Sequence, residues 1–122
     1  MNKGDAIRPD EFLLRRVFRV DRRFIDLKTG RPTSRAFAPR PKDNGSLSVD
    51  LKILTTPIKA IIDIERFRLF EFMAHSAYSL GLECKYDPLD DNVAHTLITG
   101  FDPEDESVPG ILARISKEVL LR

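Results

Sequence analysis

Basic side chains and serines crowd into two short parts of this chain, Arg15-Arg16 and residues 34–50, and together they have the chemistry of an anion site. Arg15, Arg16, Arg35, Arg40 and Lys42 supply positive charge, and Ser34, Ser46 and Ser48 supply short hydroxyl donors. Guanidinium forks and hydroxyls suit phosphate because they give bidentate, charge-assisted hydrogen bonds to an ion that must shed its water. The spacing is not that of a known phosphate loop. A solvated basic face pairing with acidic residues elsewhere in the chain is the plainer alternative.

A second group couples Ser48 and Asp50, same-face neighbours on an alternating stretch, with His95 farther along. An imidazole that titrates near neutrality, a carboxylate to orient it and a hydroxyl to activate form an acid–base or nucleophilic set, if the fold brings them together. A histidine tied into a turn by Asn92, three residues upstream, is the simpler use of His95, and His75 falls on the surface of an expected helix. The acidic run Asp87, Asp90, Asp91 and Asn92 offers hard oxygen ligands. It lacks the length, regular spacing and central glycine of a calcium loop, so it reads as a solvated turn, and neither a metal nor a cofactor is expected. One cysteine, Cys84, leaves no partner for an internal disulfide or a multi-cysteine metal site. No Gly-rich phosphate loop, HExxH helix or Gly-x-Ser-x-Gly elbow occurs.

These side chains must be carried by a fold that the hydrophobic pattern outlines. Residues 1–10 show no periodicity and read as a flexible arm ahead of a single domain over 11–122. From Phe12 the chain alternates Leu13, Arg15, Val17 with Leu14, Arg16, Phe18, which predicts a strand. Residues 21–32 read as a loop or short strand closed at Gly30-Arg31-Pro32, and Pro39 and Pro41 keep Arg40 extended. Asp43-Asn44-Gly45 is a turn leading into a half-buried strand over 46–54. Thr56-Pro57 starts a helix with its isoleucines on one face. Phe67, Phe70, Met73, Ala74, Ala77 and Tyr78 recur at three- and four-residue steps, predicting the principal helix over 65–80, stopped at Gly81. Strands over 82–86 and 93–99 and a closing helix over 110–121 complete the pattern. The sum is an α+β fold, a small mixed domain of four or five strands with two or three helices.

Charge is nearly balanced overall at +1 but unevenly placed. Residues 1–52 carry 13 Lys/Arg against 7 Asp/Glu, and residues 53–122 carry 7 against 12. That polarity fits a basic face for an anion, an acidic face for a partner, or two halves that attract each other. It disfavours a long nucleic-acid duplex, whose phosphates the acidic half would repel. No apolar run has the length of a membrane span, and the first residues lack the apolar core of a signal peptide, which predicts a cytoplasmic protein without a membrane partner.

Four motifs taken together resemble a set of small bacterial proteins with no settled biochemical role. They are Leu14-Arg15-Arg16-Val17, Ser34-x-Ala36-Phe37, residues 42–50 (KDNGSLSVD), and Asp87-Pro88-Leu89-Asp90-Asp91-Asn92-x-Ala94-His95-x-Leu97-Ile98, spanning about 13–100. The order of a first-strand arginine and a later serine-bearing strand is also similar to ADP-ribosyltransferase-like and RES-type toxin folds. Their catalytic glutamate has no clear counterpart, since Glu104 and Glu106 stand in a loop. The resemblance implies a bacterial protein, while small size, bipolar charge and the lack of a complete catalytic motif favour a non-enzymatic binding or accessory module of a multiprotein system, of toxin–antitoxin or phage-defence type, with a protein partner. The alternatives are a small enzyme or sensor of a phosphate-bearing nucleotide, and a single-stranded nucleic-acid binder using Phe12, Phe18, Phe24 and Phe37 among its arginines.

Overall fold

The alternation that starts at Phe12 produces the strand expected there, β1 (Phe12–Phe18). The computed structural model describes residues 1–121 and sets five further strands beside it: β2 (Leu47–Leu51), β3 (Phe67–Met73), β4 (Glu83–Tyr86), β5 (His95–Thr99) and β6 (Lys117–Glu118). Every pairing is antiparallel, in the order β4-β5-β2-β1-β3-β6. With the helices α1 (Pro57–Ile61), α2 (Ala74–Ser79) and α3 (Ser107–Ile115) this is an α+β domain whose sheet has six strands, more than the four or five expected. No helix among the described residues is long and apolar enough to cross a membrane.

The main correction falls on residues 65–80. Phe67–Met73 is a central strand, and only the short α2 that follows is helical. A strand covered on both faces loses its alternation and shows apolar residues at nearly every position, so helical spacing can be read into it by accident. Leu69 is buried on one face and Phe70 and Phe72 on the other. What decides the outcome is a partner, because all seven residues of β1 pair with β3 from Phe12↔Met73 to Phe18↔Phe67. The isoleucine-rich segment after Thr56 is likewise shorter than its pattern suggests. Thr56 caps α1 by accepting from the Lys59 N–H, and the helix ends at Ile61 because Ile62 takes φ of +67°, a costly conformation for a β-branched residue. Ile58, Ile62 and Ile64 are left exposed.

Register sorts the side chains into two faces. Leu13 lies opposite Leu51, so Leu13, Val17, Val49, Phe70, Phe72 and Ile98 share the larger core, beneath Phe37, Ala77 and Leu112. Leu14 and Leu69 form a smaller cluster on the other face with Ala60 and Ile61 of α1. Residues 1–10, expected to fray, are tied down by Ile7, which is buried. Its N–H donates to the Cys84 carbonyl, Gly4 N–H donates to the Tyr86 carbonyl, and the Tyr78 hydroxyl donates to the Ile7 carbonyl at 2.5 Å. The same burial pushes the Cys84 thiol up to about 12, so it is no nucleophile at neutral pH.

The closing helix also differs from expectation. It begins at Ser107 rather than residue 110, since Pro109 is tolerated in a first turn where N–H groups lack helical partners. It stops at Ile115, and Lys117–Glu118 then covers the edge of β3. Arg31 holds that end: its Nη2 lies 2.8 Å from the Ala113 carbonyl, 3.3 Å from that of Arg114 and 2.7 Å from that of Ser116. A guanidinium here supplies the carbonyls that α3 leaves unpaired and opposes the negative end of the helix. Arg31→Met, which keeps the stem, should lower the unfolding free energy by about 2–3 kcal/mol in urea titrations, from hydrogen bonds worth about 1.5–3 kcal/mol when one partner is charged. A loss below about 0.5 kcal/mol, the range of ordinary surface changes, would show that water serves these carbonyls equally well.

Candidate functional site

β1 and β2 are paired at only two positions, Leu13↔Leu51 and Leu14↔Asp50, although β1 continues to Phe18. Beyond Leu14 the strands part, and the carbonyls along the parting need donors. Arg15 provides them: its Nε donates to the Ala36 carbonyl at 2.9 Å and its Nη1 to the Ser48 carbonyl at 2.8 Å. One guanidinium therefore spans from β1 both to β2 and to the 3-10 turn Ser34–Phe37, whose Phe37 is anchored in the core against Phe72. Burial, then the neighbouring charges of Arg16 and Arg40, lower Arg15 to about 10, which still leaves it a cation at neutral pH.

The parting opens a cleft of about 240 Å³. Arg15, Arg16, Arg35, Arg40, Ser48, Asp50 and His95 all line it, so most of the polar residues singled out by their types converge on one place. Ser34 and Lys42 do not line it. Ser34 faces Gly110 of α3, and Lys42 is exposed in the turn Pro41–Asp43. The cations differ in how far they are occupied. Arg16 donates to the Ala60 carbonyl at 2.9 Å and sits 3.5 Å from Asp50, and Arg40 pairs with Asp43 at 3.0 Å. Arg35 is exposed and has no hydrogen-bond or ion-pair partner among the described residues.

Asp50 and His95 are directly paired across β2 and β5, yet the carboxylate does not serve the imidazole. Asp50 is buried and takes a 2.8 Å hydrogen bond from the Asn92 side chain, whose own oxygen accepts from the Ala94 N–H. With Arg16 on its other oxygen, Asp50 fixes the approach to β5. The carboxylate at His95 is Asp87. Its Oδ2 lies 3.0 Å from His95 Nδ1, and its carbonyl oxygen lies 2.8 Å from the same nitrogen. His95 Nε2 is 3.1 Å from Ser48 Oγ.

Asp87 was legible only as part of an acidic turn. A hairpin register would have revealed it, because Tyr86↔Thr96 pairing puts residue 87 opposite residue 95. The chain matches no family model, no curated protein and no solved structure. Its chemistry must therefore be taken from the geometry of this cleft.

With two acceptors on Nδ1, the neutral imidazole carries its proton there, and the tautomer follows from that network. Nε2 is then a lone-pair acceptor, and Ser48 donates its hydroxyl proton to it. The order carboxylate, imidazole, hydroxyl is that of an activated serine. Among the described residues no cluster of three or more His, Cys, Asp or Glu could hold a metal ion. At the far end of the cleft stand three aromatic rings that pack on each other, Phe18 with Phe24 at 5.8 Å and Phe18 with Phe67 at 5.0 Å between centroids.

Proposed function

We propose that the protein is a small enzyme acting on a phosphate-bearing substrate, with Ser48 as the attacking hydroxyl, His95 as its base and Asp87 as the positioning carboxylate. The observation that carries this reading is the Asp87–His95–Ser48 chain, 3.0 Å and 3.1 Å long at its two links, set at a cleft whose Arg35 has no hydrogen-bond or ion-pair partner among the described residues. Arg35 and Arg40 hold the phosphate, and Arg15 keeps Ser48 in place through its carbonyl while adding positive charge. In the reaction Ser48 Oγ bonds to phosphorus as the ester P–O bond breaks. The serine proton passes to His95 Nε2 and from there to the leaving oxygen, and Asp87 stabilises the imidazolium between the two transfers. Water activated by the same imidazole then frees the serine.

Ligand binding tests the reading before any assay of turnover. Ligand at 100 times its Kd stabilises a fold by about 2.7 kcal/mol, so inorganic phosphate or ribose 5-phosphate at saturation should raise the melting temperature by several degrees. Arg35→Ala should weaken that binding about tenfold, the loss of one charge-assisted pair. If no phosphate compound shifts the melt, or the shift is the same in Arg35→Ala, the reading falls.

A second reading, the protein-binding module, is favoured by a different surface. Ile53, Ile58, Ile62 and Ile64 are all more than half exposed over the short stretch around α1, where a monomer would usually place polar residues.

A further inference from the structure

We infer that the substrate is a nucleotide whose base stacks on Phe18, at the opposite end of the cleft from the acid–base pair. This rests on the phosphate reading above and adds the second half of the ligand. Phe18, Phe24 and Phe67 all line the cleft, but their faces are not equally available. Phe67 has the Arg16 and Arg66 guanidiniums over its ring at 5.9 Å and 5.1 Å, and Phe24 has Arg23 at 5.2 Å. Phe18 has no cation over it among the described residues and is 42% exposed, the most open ring of the three.

Its neighbours also hold it in place. Phe24 and Phe67 lean on it at interplanar angles of 36° and 37°, which braces the ring while much of the residue stays open to solvent. A solvent-facing phenyl ring braced in this way, inside a cleft lined by arginines, is a stacking platform next to a phosphate site. Bases stack on such rings whatever their sequence, and an exposed apolar ring gains from being covered.

Phe18, Arg35 and Arg40 line one cleft of about 240 Å³, so a base on the ring and a phosphate on the arginines would share a single space of small-ligand size. Asp90 and Asp91, exposed in the turn that leads into the strand of His95, disfavour a continuing chain of phosphates on that side. A free nucleotide is thus favoured over a single-stranded polymer.

Titration calorimetry on the full chain separates the possibilities, using adenosine 5′-monophosphate, ribose 5-phosphate and inorganic phosphate as ligands. The unsubstituted protein should bind the nucleotide at least about tenfold more tightly than ribose 5-phosphate, and Phe18→Ala should close that gap without changing affinity for phosphate. Phe18→Leu, which keeps apolar bulk without the ring, should narrow it and serves if the alanine variant does not fold. Equal affinities for nucleotide and ribose 5-phosphate would overturn the stacking inference and leave the phosphate reading standing. A gap that survives in folded Phe18→Ala would also overturn it. No binding of any of the three would remove the phosphate reading as well. Affinity that climbs steadily with the length of a thymidine oligonucleotide would assign the cleft to single strands instead.

Discussion

Replacing His95 by asparagine should cut turnover of p-nitrophenyl phosphate by about 10²- to 10⁴-fold, the usual worth of a positioned general base. Asparagine keeps a polar group of similar reach, so loss of fold is not the expected cause, and melting curves of the two proteins would check it. Ser48→Ala should fall as far as His95→Asn, and the double variant no farther than either, because a hydroxyl and the base that activates it act as one unit. Asp87→Asn should lose kcat with little change in KM and fall less far than His95→Asn, since Asp87 reaches the substrate only through His95. Asp50→Asn supplies the contrast. Asp50 bonds Asn92 and Arg16 instead of His95, so its variant should lose stability before it loses chemistry. Undiminished turnover in His95→Asn, or losses in the double variant that multiply, would sink the mechanism.

Truncating Phe37 to alanine should destabilise the protein by about 3–5 kcal/mol, the range for removing a buried aromatic side chain. Phe37 has no exposed surface and meets Phe72 edge-to-face at 5.7 Å. Against a total stability of about 5–15 kcal/mol this is a large fraction, and it should lower the melting temperature by roughly 10–20 °C. The effect should reach the cleft. The Ala36 carbonyl that receives Arg15 belongs to the same 3-10 turn, and Arg35 projects from it, so loosening the turn moves both. Phosphate affinity measured well below the melting midpoint should therefore fall in Phe37→Ala and recover in large part in Phe37→Leu, which refills most of the volume. A melt shifted by less than about 3 °C would mean the turn does not depend on this anchor.

The closest agreement between pattern and fold lies where one face of an element is buried and the other is not. β4 and β5 alternate between buried and more exposed residues and appear where alternation places them, and Thr56-Pro57 caps a helix as such a pair should. Asn44 and Gly45 take positive φ in the turn that their types announce. Agreement fails where burial is on both sides or where a third element decides. Phe67–Met73 is apolar enough for either period, and only the continuous pairing with β1 makes it a strand. Lys117–Glu118 leaves the helical pattern because the edge of β3 lies within reach and Arg68 offers Glu118 a two-pronged ion pair at 2.7 Å and 2.8 Å.

The candidate site divides along the same line. Residue types singled out Arg15, Arg16, Arg35, Arg40, Ser48 and His95, which line the cleft, and equally Ser34 and Lys42, which do not. Sequence spacing could not say which carboxylate faces the imidazole. Ser48 and Asp50 share a strand face, which suggested Asp50, but the β4–β5 hairpin brings Asp87 opposite His95 and Asn92 and Arg16 occupy Asp50. Nor could spacing show that β1 and β2 separate after Leu14, where the Arg15 guanidinium bridges to the Ser48 and Ala36 carbonyls. The sequence by itself determined the class of fold and the chemical vocabulary of the site. The tertiary structure decided the pairing, and with it the cleft, because partners such as Arg15 and Ser48, 33 positions apart, and Ser48 and His95, 47 apart, meet through a register no local pattern encodes.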